Sequence, residues 1–416
     1  MRDSVAIARS ESTRASTLAA RRISGIERIW VAMAEVAPPF VITVVLEGAE
    51  GDGEPDEGAW QRAVDTVAAV HPGARGRLAG MLSRTRWIAD AAPPRVRSVE
   101  AAGWEAEGPE DAPFLQDPLD ARAGQSVEVV LVRGGRRPRV VLRALHAAWD
   151  GMACWLFLRE VFAALRGEGL AGPTPEHLQL TDGDIARALD REREQPPRME
   201  LRSVTGPCAP GVEGTTWRRR RVPGAPSKLL PRLAVALARL AYGAPGAPGA
   251  GVRVDVPVDL RRHRGEVRAL GNLTGLLRVP MAPDVSEDDV HAALRRGLEA
   301  HDEVRSVLLA EGVRSVPLWL VRAVARGTAK KMRARGQFDT TATVSNLGRI
   351  DRAPYAGGGF RTERAFVIAP ISPALPCFVT VVGDPDAVEL VVAMPRALAE
   401  GGRLDATMDA LVHALR

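Results

Sequence analysis

The 416-residue sequence has few cysteines, lysines and aromatic residues, and these shortages exclude several classes of protein. The three cysteines, Cys154, Cys208 and Cys377, are odd in number, far apart and never in C-x-x-C spacing. This pattern argues against a disulfide framework and against a zinc site built on thiolates, so no bound metal is expected. Unpaired cysteines suit a reducing compartment, and the expected location is the cytoplasm.

Long hydrophobic runs are also missing from the sequence. No apolar stretch reaches the length needed to cross a bilayer, so an integral membrane protein is not expected. Residues 1–22 are rich in Ser and Arg but lack an apolar segment, which predicts a flexible tail rather than a secretory signal.

The basic residues do not form a nucleic-acid signature. Aromatic residues make up 4% of the chain, and no basic stripe alternates with side chains that stack on bases. Lysine occurs only at Lys228, Lys330 and Lys331, so the net charge of +5 reflects a bias toward arginine. The one dense cluster, Arg218–Arg221, is interpreted as a solvated linker or the edge of a strand.

Apolar residues make up 46% of the chain, and 416 residues exceed what one core usually holds, so two lobes are expected. Short apolar runs alternate with helical periodicity, which predicts an α/β fold. In the first half the pattern predicts a strand at 39–48, a helix at 56–73, a hairpin around the turn at 134–137, and a helix after Gly151.

Apolar periodicity fades between about residues 174 and 225, where charge and proline increase. The predicted organisation is a tail at 1–22, a first lobe at 23–185, a connection at 186–225 and a second lobe at 226–416. The second lobe should contain helices at 229–242, 288–309 and 404–415 and strands at "VRVDVPV", "TTATVSN", "RAFVIAP", "CFVTVVG" and "AVELVVAM".

His146, Asp150 and Gly151 stand where the second hairpin strand gives way to a helix, in the sequence "LHAAWDG". A rigid strand end can aim a side chain into a crevice, and a neutral imidazole can accept a proton from a hydroxyl or amine. Spacing alone is weak evidence, because an H-x-x-x-D pair is frequent by chance. Two interpretations stay open on the residues themselves: a catalytic base, or a core histidine beside a turn.

The surrounding pattern resembles the H-H-x-x-x-D-G signature of the condensation-domain superfamily. This superfamily includes nonribosomal peptide synthetase condensation domains, polyketide-associated acyltransferases, wax ester synthases and chloramphenicol acetyltransferase. The opening segment "RRISGIERIWVAMAEVAPPFVITVVLEG", the stretches at 255–281 and 341–351, and the closing strand–Pro–helix are each similar to corresponding family segments. The resemblance therefore extends over nearly the whole chain, although each motif is short.

The resemblance implies two chloramphenicol-acetyltransferase-like lobes, each a mixed β-sheet flanked by helices, in a V-shaped pseudo-dimer with a central tunnel. It implies that His146 takes the proton of an alcohol or amine acceptor, which attacks an acyl thioester carried by coenzyme A or a phosphopantetheinyl carrier protein. Asp150 would pair with an arginine, with Arg261 the first candidate and Arg262 the second. No permanently bound cofactor is implied. The expected setting is nonribosomal peptide, polyketide or lipid-conjugate biosynthesis.

Further site residues are assigned by position. Ser345, Asn346, Trp149 and Asn272 are candidates for the oxyanion or substrate contacts, and Gly151 for a tight turn. For "VSNLG" at 344–348, a strand that ends in a capped turn is an equal alternative. The Arg218–Arg221 cluster would suit an acidic carrier protein or a coenzyme A phosphate if it lies near a tunnel mouth.

The sequence departs from the family pattern at two positions. Leu145 stands where many members have a first histidine, and Trp149 is bulky where smaller residues are common. Trp149 either belongs to the core or narrows the tunnel. These departures keep two alternatives to acyl transfer: a non-catalytic docking module, and a member that cyclises or dehydrates a tethered intermediate.

Overall fold

The computed structural model describes residues 20–174, 179–189, 200–224, 226–246, 249–372 and 374–416. The predicted tail at 1–22 lies outside these residues except for its last three, which form a short strand. Of the predicted connection, residues 190–199 and 225 also lie outside the described part of the chain.

The described residues form short and long strands that we number in chain order. They are β1 Ala20–Arg22, β2 Val41–Glu47, β3 Arg77–Ala79, β4 Arg86–Ile88, β5 Arg95–Glu100, β6 Val127–Arg133, β7 Arg139–Leu145, β8 Leu201–Arg202, β9 Thr215–Pro223, β10 Val252–Asp259, β11 Thr274–Met281, β12 Gln337–Phe338, β13 Ala342–Arg349, β14 Ala356–Gly357, β15 Phe360–Arg361, β16 Arg364–Ile368, β17 Phe378–Gly383 and β18 Ala387–Pro395.

The helices of the described residues are numbered in the same way. They are α1 Gly25–Val36, α2 Glu57–Val70, α3 Gly151–Leu165, α4 Asp182–Ala188, α5 Leu229–Gly243, α6 Glu287–Glu299, α7 Arg305–Ala310, α8 Leu318–Arg335, α9 Arg396–Ala399 and α10 Arg403–Leu415. None of them is long and apolar enough to cross a bilayer.

Two mixed sheets form the framework. The first sheet has the strand order β16–β2–β7–β6–β5 and is antiparallel except for the β5–β6 pair. The second has the order β11–β10–β13–β17–β18–β9, with β13 parallel to both of its neighbours. Helices α2 and α3 lie on the first sheet, and α5 and α10 on the second. We refer to each sheet with its helices as the first and second lobe; the predicted α/β fold class is confirmed.

The first sheet is buried on both faces, which explains why β2 and β7 are buried at every position. Val44 packs into the core beneath α2 and α3, whereas Val45 points to the opposite face. There it joins a second apolar cluster that contains Phe366 of β16 together with Trp217 and Val391 of the second sheet. The two lobes therefore share an apolar cluster between their sheets.

Sheet membership differs from the predicted lobe boundaries at two places. Thr215–Pro223, predicted as part of the connection, forms β9 at the edge of the second sheet. Arg364–Ile368, predicted for the second lobe, pairs with β2 and completes the first sheet. The consecutive arginines of β9 mask the alternation of apolar and polar residues that is typical of a strand. The pairing of β16 with β2 joins residues far apart along the chain, so no local sequence pattern indicates it.

The predicted single helix at 288–309 is also corrected. Helix α6 ends at Glu299, and α7 begins only at Arg305. Between them His301 adopts a left-handed backbone conformation with φ of 55°, which ends an α-helix. No glycine or proline marks this break, so the helical pattern of the sequence runs through it.

The Arg218–Arg221 cluster lies on β9, and each of its arginines has an acidic partner. Arg219 is buried and donates from Nη2 to Glu47 of the first sheet at 2.7 Å and from Nε to Glu389 of the second at 2.8 Å. Burial alone would raise the pKa of Glu47, but Arg219 and Arg139 outweigh it and lower that pKa. The cluster is thus a strand edge, as one interpretation predicted, and Arg219 joins the two sheets.

Asp182, at the start of α4, gives the fold a pH-dependent stability. Its burial, followed by the charge of Glu27, raises its pKa to about 7. Because this exceeds the pKa of the unfolded chain, the protonated carboxyl favours folding, and the contribution is lost as pH rises through 7. We expect the unfolding free energy to fall by roughly 1.4 kcal/mol from this group between pH 6 and pH 8.

Asp182→Asn should remove this part of the pH dependence. The difference in unfolding free energy between the variant and the natural protein should therefore shift in favour of the variant from pH 6 to pH 8. Chemical denaturation at the two pH values measures the difference. Asp289→Asn is the matched control, because Asp289 caps α6 on the surface and its pKa is lowered. A pH-independent difference for Asp182→Asn would contradict the expectation.

Candidate active site

His146 occupies the bend between β7 and α3, and hydrogen bonds fix its backbone on two sides. Its peptide N–H donates to the carbonyl of Phe40 at 3.4 Å. Its own carbonyl accepts a hydrogen bond from Asn272 Nδ2 of the second lobe at 2.7 Å. The position of the imidazole is therefore set from both lobes, as precise chemistry requires.

The hydrogen bond of the imidazole defines its tautomer. Nδ1 of His146 lies 3.0 Å from the carbonyl oxygen of Trp149. Because a carbonyl oxygen only accepts, Nδ1 must carry the proton and donate it. In the neutral ring Nε2 then carries the lone pair, which can accept a proton from a hydroxyl or amine.

Two aromatic side chains enclose the imidazole. The Trp30 ring stacks on His146 with centroids 5.3 Å apart, and Phe40 lies at 5.9 Å. Desolvation lowers the pKa of His146 below 6.5, and this effect outweighs the hydrogen bond to the Trp149 carbonyl and the charge of Asp150. The imidazole is therefore neutral at pH 7, which is the form a base needs.

Asp150 is buried, and its oxygens bind groups other than the imidazole. Oδ1 accepts from the N–H of Ala153 at 2.7 Å and caps α3. Oδ2 accepts from Arg261 Nη1 at 2.8 Å and from the N–H of Leu273 at 2.7 Å. The carboxylate thus ties the bend of the first lobe to the connection between β10 and β11 in the second.

Arg261 is the partner that the sequence ranked first; Arg262, ranked second, is exposed. Besides Asp150, Arg261 binds Asp259 Oδ1 at 2.9 Å and the carbonyls of Ala269 and Gly271 at 3.2 Å. Burial opposes its charge, but Asp150 and Asp259 outweigh burial and raise the pKa of Arg261. The guanidinium is bonded through both of its terminal nitrogens at the junction of the lobes.

The end of β13 lies against the start of α3. A side chain on Gly151 would place its Cβ 3.0 Å from Leu347 Cδ2, so glycine permits this close approach. Ser345 shares the face of β13 with Leu347 and is half-buried. Asn346 is exposed, and its Oδ1 accepts from the N–H of Gly348 at 3.0 Å within β13, where the register with β17 shifts. Neither side chain has a hydrogen bond to His146 among the described residues.

Two other predicted contact residues lie elsewhere. Trp149 is 1% exposed in the core beneath the first sheet, with its ring edge-on to Phe157. Its assignment as a substrate contact is therefore corrected, because the large apolar ring fills the core rather than the space around His146. Asn272 is also buried and uses its amide to bind the His146 carbonyl. Leu145, which replaces a first histidine, is buried in β7.

Sequence reasoning missed Trp30 and Phe40. Both come from the opening segment, more than a hundred residues before His146, so no motif spacing connects them to it. The available signal was their chemistry: aromatic residues are scarce in this chain, and these two lie close together on either side of the helix–strand junction.

Two cavities share part of their lining, and the smaller of them reaches Ala148 in the bend that carries His146. The larger, of about 400 Å³, is lined by five arginines: Arg21, Arg22, Arg84, Arg86 and Arg314. The smaller, of about 50 Å³, shares Ala20 and Arg21 with it and is also lined by Ala148 and Leu270. Neither is lined by His146 itself.

The chain was compared with known proteins at the level of sequence and of structure. No protein-family model matches it, and no curated protein matches its sequence. Among solved structures, the condensation domain of the monacolin K polyketide synthase MokA aligns with a TM-score of 0.64 and 16% identity, over 95% of this chain and 96% of that one.

Two further structures align equally completely. The first condensation domain of the calcium-dependent antibiotic synthetase, in complex with a substrate analogue, has a TM-score of 0.60 and 18% identity, covering 95% of each chain. A variant of the starter condensation domain of rhizomide synthetase RzmA, in complex with C8-CoA, has a TM-score of 0.59 and 16% identity, over 95% of this chain and 94% of that one. The chain has the condensation-domain fold.

The structural match to condensation domains confirms, for the fold, the family resemblance seen in the sequence. In this condensation-domain fold the bend from His146 to Asp150 lies where the first lobe meets the β10–β11 connection of the second. The site is thus built at the junction of the two lobes, where ligands bind in many two-lobed proteins.

Proposed function

We propose that this chain is an acyltransferase that moves an acyl group from a thioester to a hydroxyl or amine, with His146 as general base. The observation that carries the proposal is the tautomer of His146. Its Nδ1 proton is bound by the Trp149 carbonyl, and its Nε2 lone pair is left for a substrate.

The proposed reaction proceeds without a covalent enzyme intermediate. Nε2 takes the acceptor proton while the acceptor oxygen or nitrogen attacks the thioester carbonyl. The tetrahedral intermediate then collapses, the carbon–sulfur bond breaks, and the leaving thiolate receives the proton from the imidazolium. The acyl group ends on the acceptor as an ester or amide, and His146 returns to its neutral form.

The other site residues have separate proposed roles. Asp150 and Arg261 are positioning residues, because their bonds hold the bend rather than the substrate. Asn272 holds the carbonyl of His146. The Ser345 hydroxyl is the proposed donor to the oxyanion, since it lies on the face of β13 whose Leu347 approaches Gly151. Trp30 and Phe40 exclude water from the imidazole.

Charge supports coenzyme A as the carrier of the acyl group. The arginine-lined cavity is the right kind of site for its phosphates, and the adjoining smaller cavity leads to Ala148, two residues from His146. The likeness to a starter condensation domain in complex with C8-CoA agrees with this choice. The natural setting we propose is peptide or polyketide biosynthesis.

The direct test incubates the protein with a panel of acyl-coenzyme A thioesters and with alcohols and amines, and detects the products by mass spectrometry. Acyl transfer to an acceptor, with one thiol released for each product, supports the proposal. Tight binding of thioesters without any turnover would instead support the non-catalytic docking module. A product that has lost water or closed into a ring would support the third alternative.

Arg84→Ala/Arg86→Ala tests the donor. Removing these exposed arginines should lower kcat/KM for acyl-coenzyme A by about tenfold, because charge-assisted bonds to its phosphates are lost. Turnover of the same acyl group on pantetheine, which lacks those phosphates, should stay within about twofold. Steady-state kinetics with both donors measures the ratio.

Arg95→Ala is the control, since Arg95 is exposed on β5 and lines neither of these cavities. An equal loss with both donors would show that the double variant damages the fold rather than donor binding. No change with either donor would remove the arginine cavity from the proposal and favour a carrier protein.

A further inference from the structure

We propose that His263, His301 and Glu303 bind a divalent cation of the Zn²⁺ class in the second lobe. One imidazole nitrogen of each histidine and one carboxylate oxygen lie within 4.8 Å of one another. Two imidazoles and a carboxylate are a set that Zn²⁺ prefers, with water completing the coordination. The proposal is independent of the acyl transfer proposed above.

Burial makes this cluster unlike a chance group of surface side chains. Glu303 is fully buried, and its Oε1 lies 2.8 Å from His263 Nε2. Its other oxygen, Oε2, is buried with no hydrogen-bond partner among the described residues, and so is Nδ1 of His301. A buried carboxylate oxygen without a partner costs free energy, which a cation at this point would recover.

The backbone presents these ligands in fixed positions. His263 ends a tight 3-10 turn at Leu260–His263, and Glu303 lies in a second such turn at Asp302–Val304. Gly275 of β11 packs so closely on the second turn that a Cβ there would come within 2.6 Å of the Glu303 carbonyl. The neighbours Leu260 and Val304 are fully buried, so both turns are anchored in the core.

A cation here would join two turns that lie behind the candidate active site. The Leu260–His263 turn also carries Arg261, which holds Asp150, and β11 begins directly after Asn272 and Leu273. The site would therefore stiffen the part of the second lobe that supports the bend at His146. Sequence spacing gave no sign of it, because His263 and Glu303 are 40 residues apart.

Equilibrium dialysis of the full chain, without a histidine tag, against micromolar free Zn²⁺ tests the proposal. We expect about one equivalent of bound zinc in the natural protein. His301→Ala and Glu303→Gln should reduce the bound zinc at least about tenfold. Zn²⁺ should also raise the Tm of the natural protein and not that of His301→Ala.

His291→Ala/His413→Ala is the matched control, because both histidines are exposed on helices away from the cluster. It should bind zinc like the natural protein. Co²⁺ should give ligand-field absorption bands in the natural protein, a readout that needs no variant to fold. Less than about 0.1 equivalent of zinc in the natural protein, or parallel loss in the control variant, would overturn the proposal.

Discussion

His146→Ala should lower kcat by about 10²- to 10⁴-fold while the protein stays folded. The loss is expected because Nε2 is the proposed base, and the alanine variant leaves the acceptor proton without one. His146 is half-buried at a bend, so its removal should leave both sheets intact. Steady-state kinetics measures the loss, and circular dichroism with thermal unfolding checks the fold.

The pH profile gives the same prediction a second readout. Since burial lowers the pKa of His146 below 6.5, the neutral base forms at mildly acidic pH. The rate should therefore rise with pH below 6.5 and be level through neutrality. His291→Ala, on an exposed face of α6, serves as control and should keep full activity. Undiminished turnover by a folded His146→Ala variant would falsify the mechanism.

Asp150→Asn should destabilise the protein by roughly 3 kcal/mol, because it leaves the buried charge of Arg261 with one carboxylate partner fewer. The asparagine can still cap α3 through its oxygen, but its amide loses both bonds that Oδ2 accepts, from Arg261 and from the N–H of Leu273. Turnover should fall as well, through displacement of the bend that carries His146. Chemical denaturation measures the loss of stability.

Asp56→Asn is a closely matched control. Asp56 caps α2 with the same geometry, accepting from the N–H of Ala59 at 2.7 Å, but it is exposed and has no arginine partner in the described part of the chain. Its replacement should change stability by less than about 0.5 kcal/mol, because Asn and Asp cap equally well. If Asp150→Asn kept full stability and lost turnover, the carboxylate would act in the chemistry and the positioning role would be wrong.

Local pattern carried much of the fold prediction. The hairpin of β6 and β7, the strand β2 and the helices α2, α3, α5 and α10 each have a period or a turn within a dozen residues. The bend at His146 was predictable for the same reason: a strand, a five-residue segment at 146–150 and a helix follow one another directly. Arg261 was found because a family resemblance supplied the partner that spacing could not.

The remaining features depend on distant pairing. Trp30 and Phe40 reach the imidazole from another part of the chain, and their effect on its pKa exists only after folding. Trp149 faces the core because the turn at 146–150 points its Cβ inward, which composition does not reveal. The break between α6 and α7 at His301 depends on a left-handed backbone conformation at a residue other than glycine.

The partner of β2 has a consequence for the synthesis of the protein. β2 is translated long before Arg364–Ile368, the strand that covers one of its edges. In the interval that edge carries unpaired N–H and C=O groups between apolar side chains, a surface that recruits other strands. The first sheet is therefore complete only once Arg364–Ile368 has been made, and a chain that stops before residue 364 keeps this edge open.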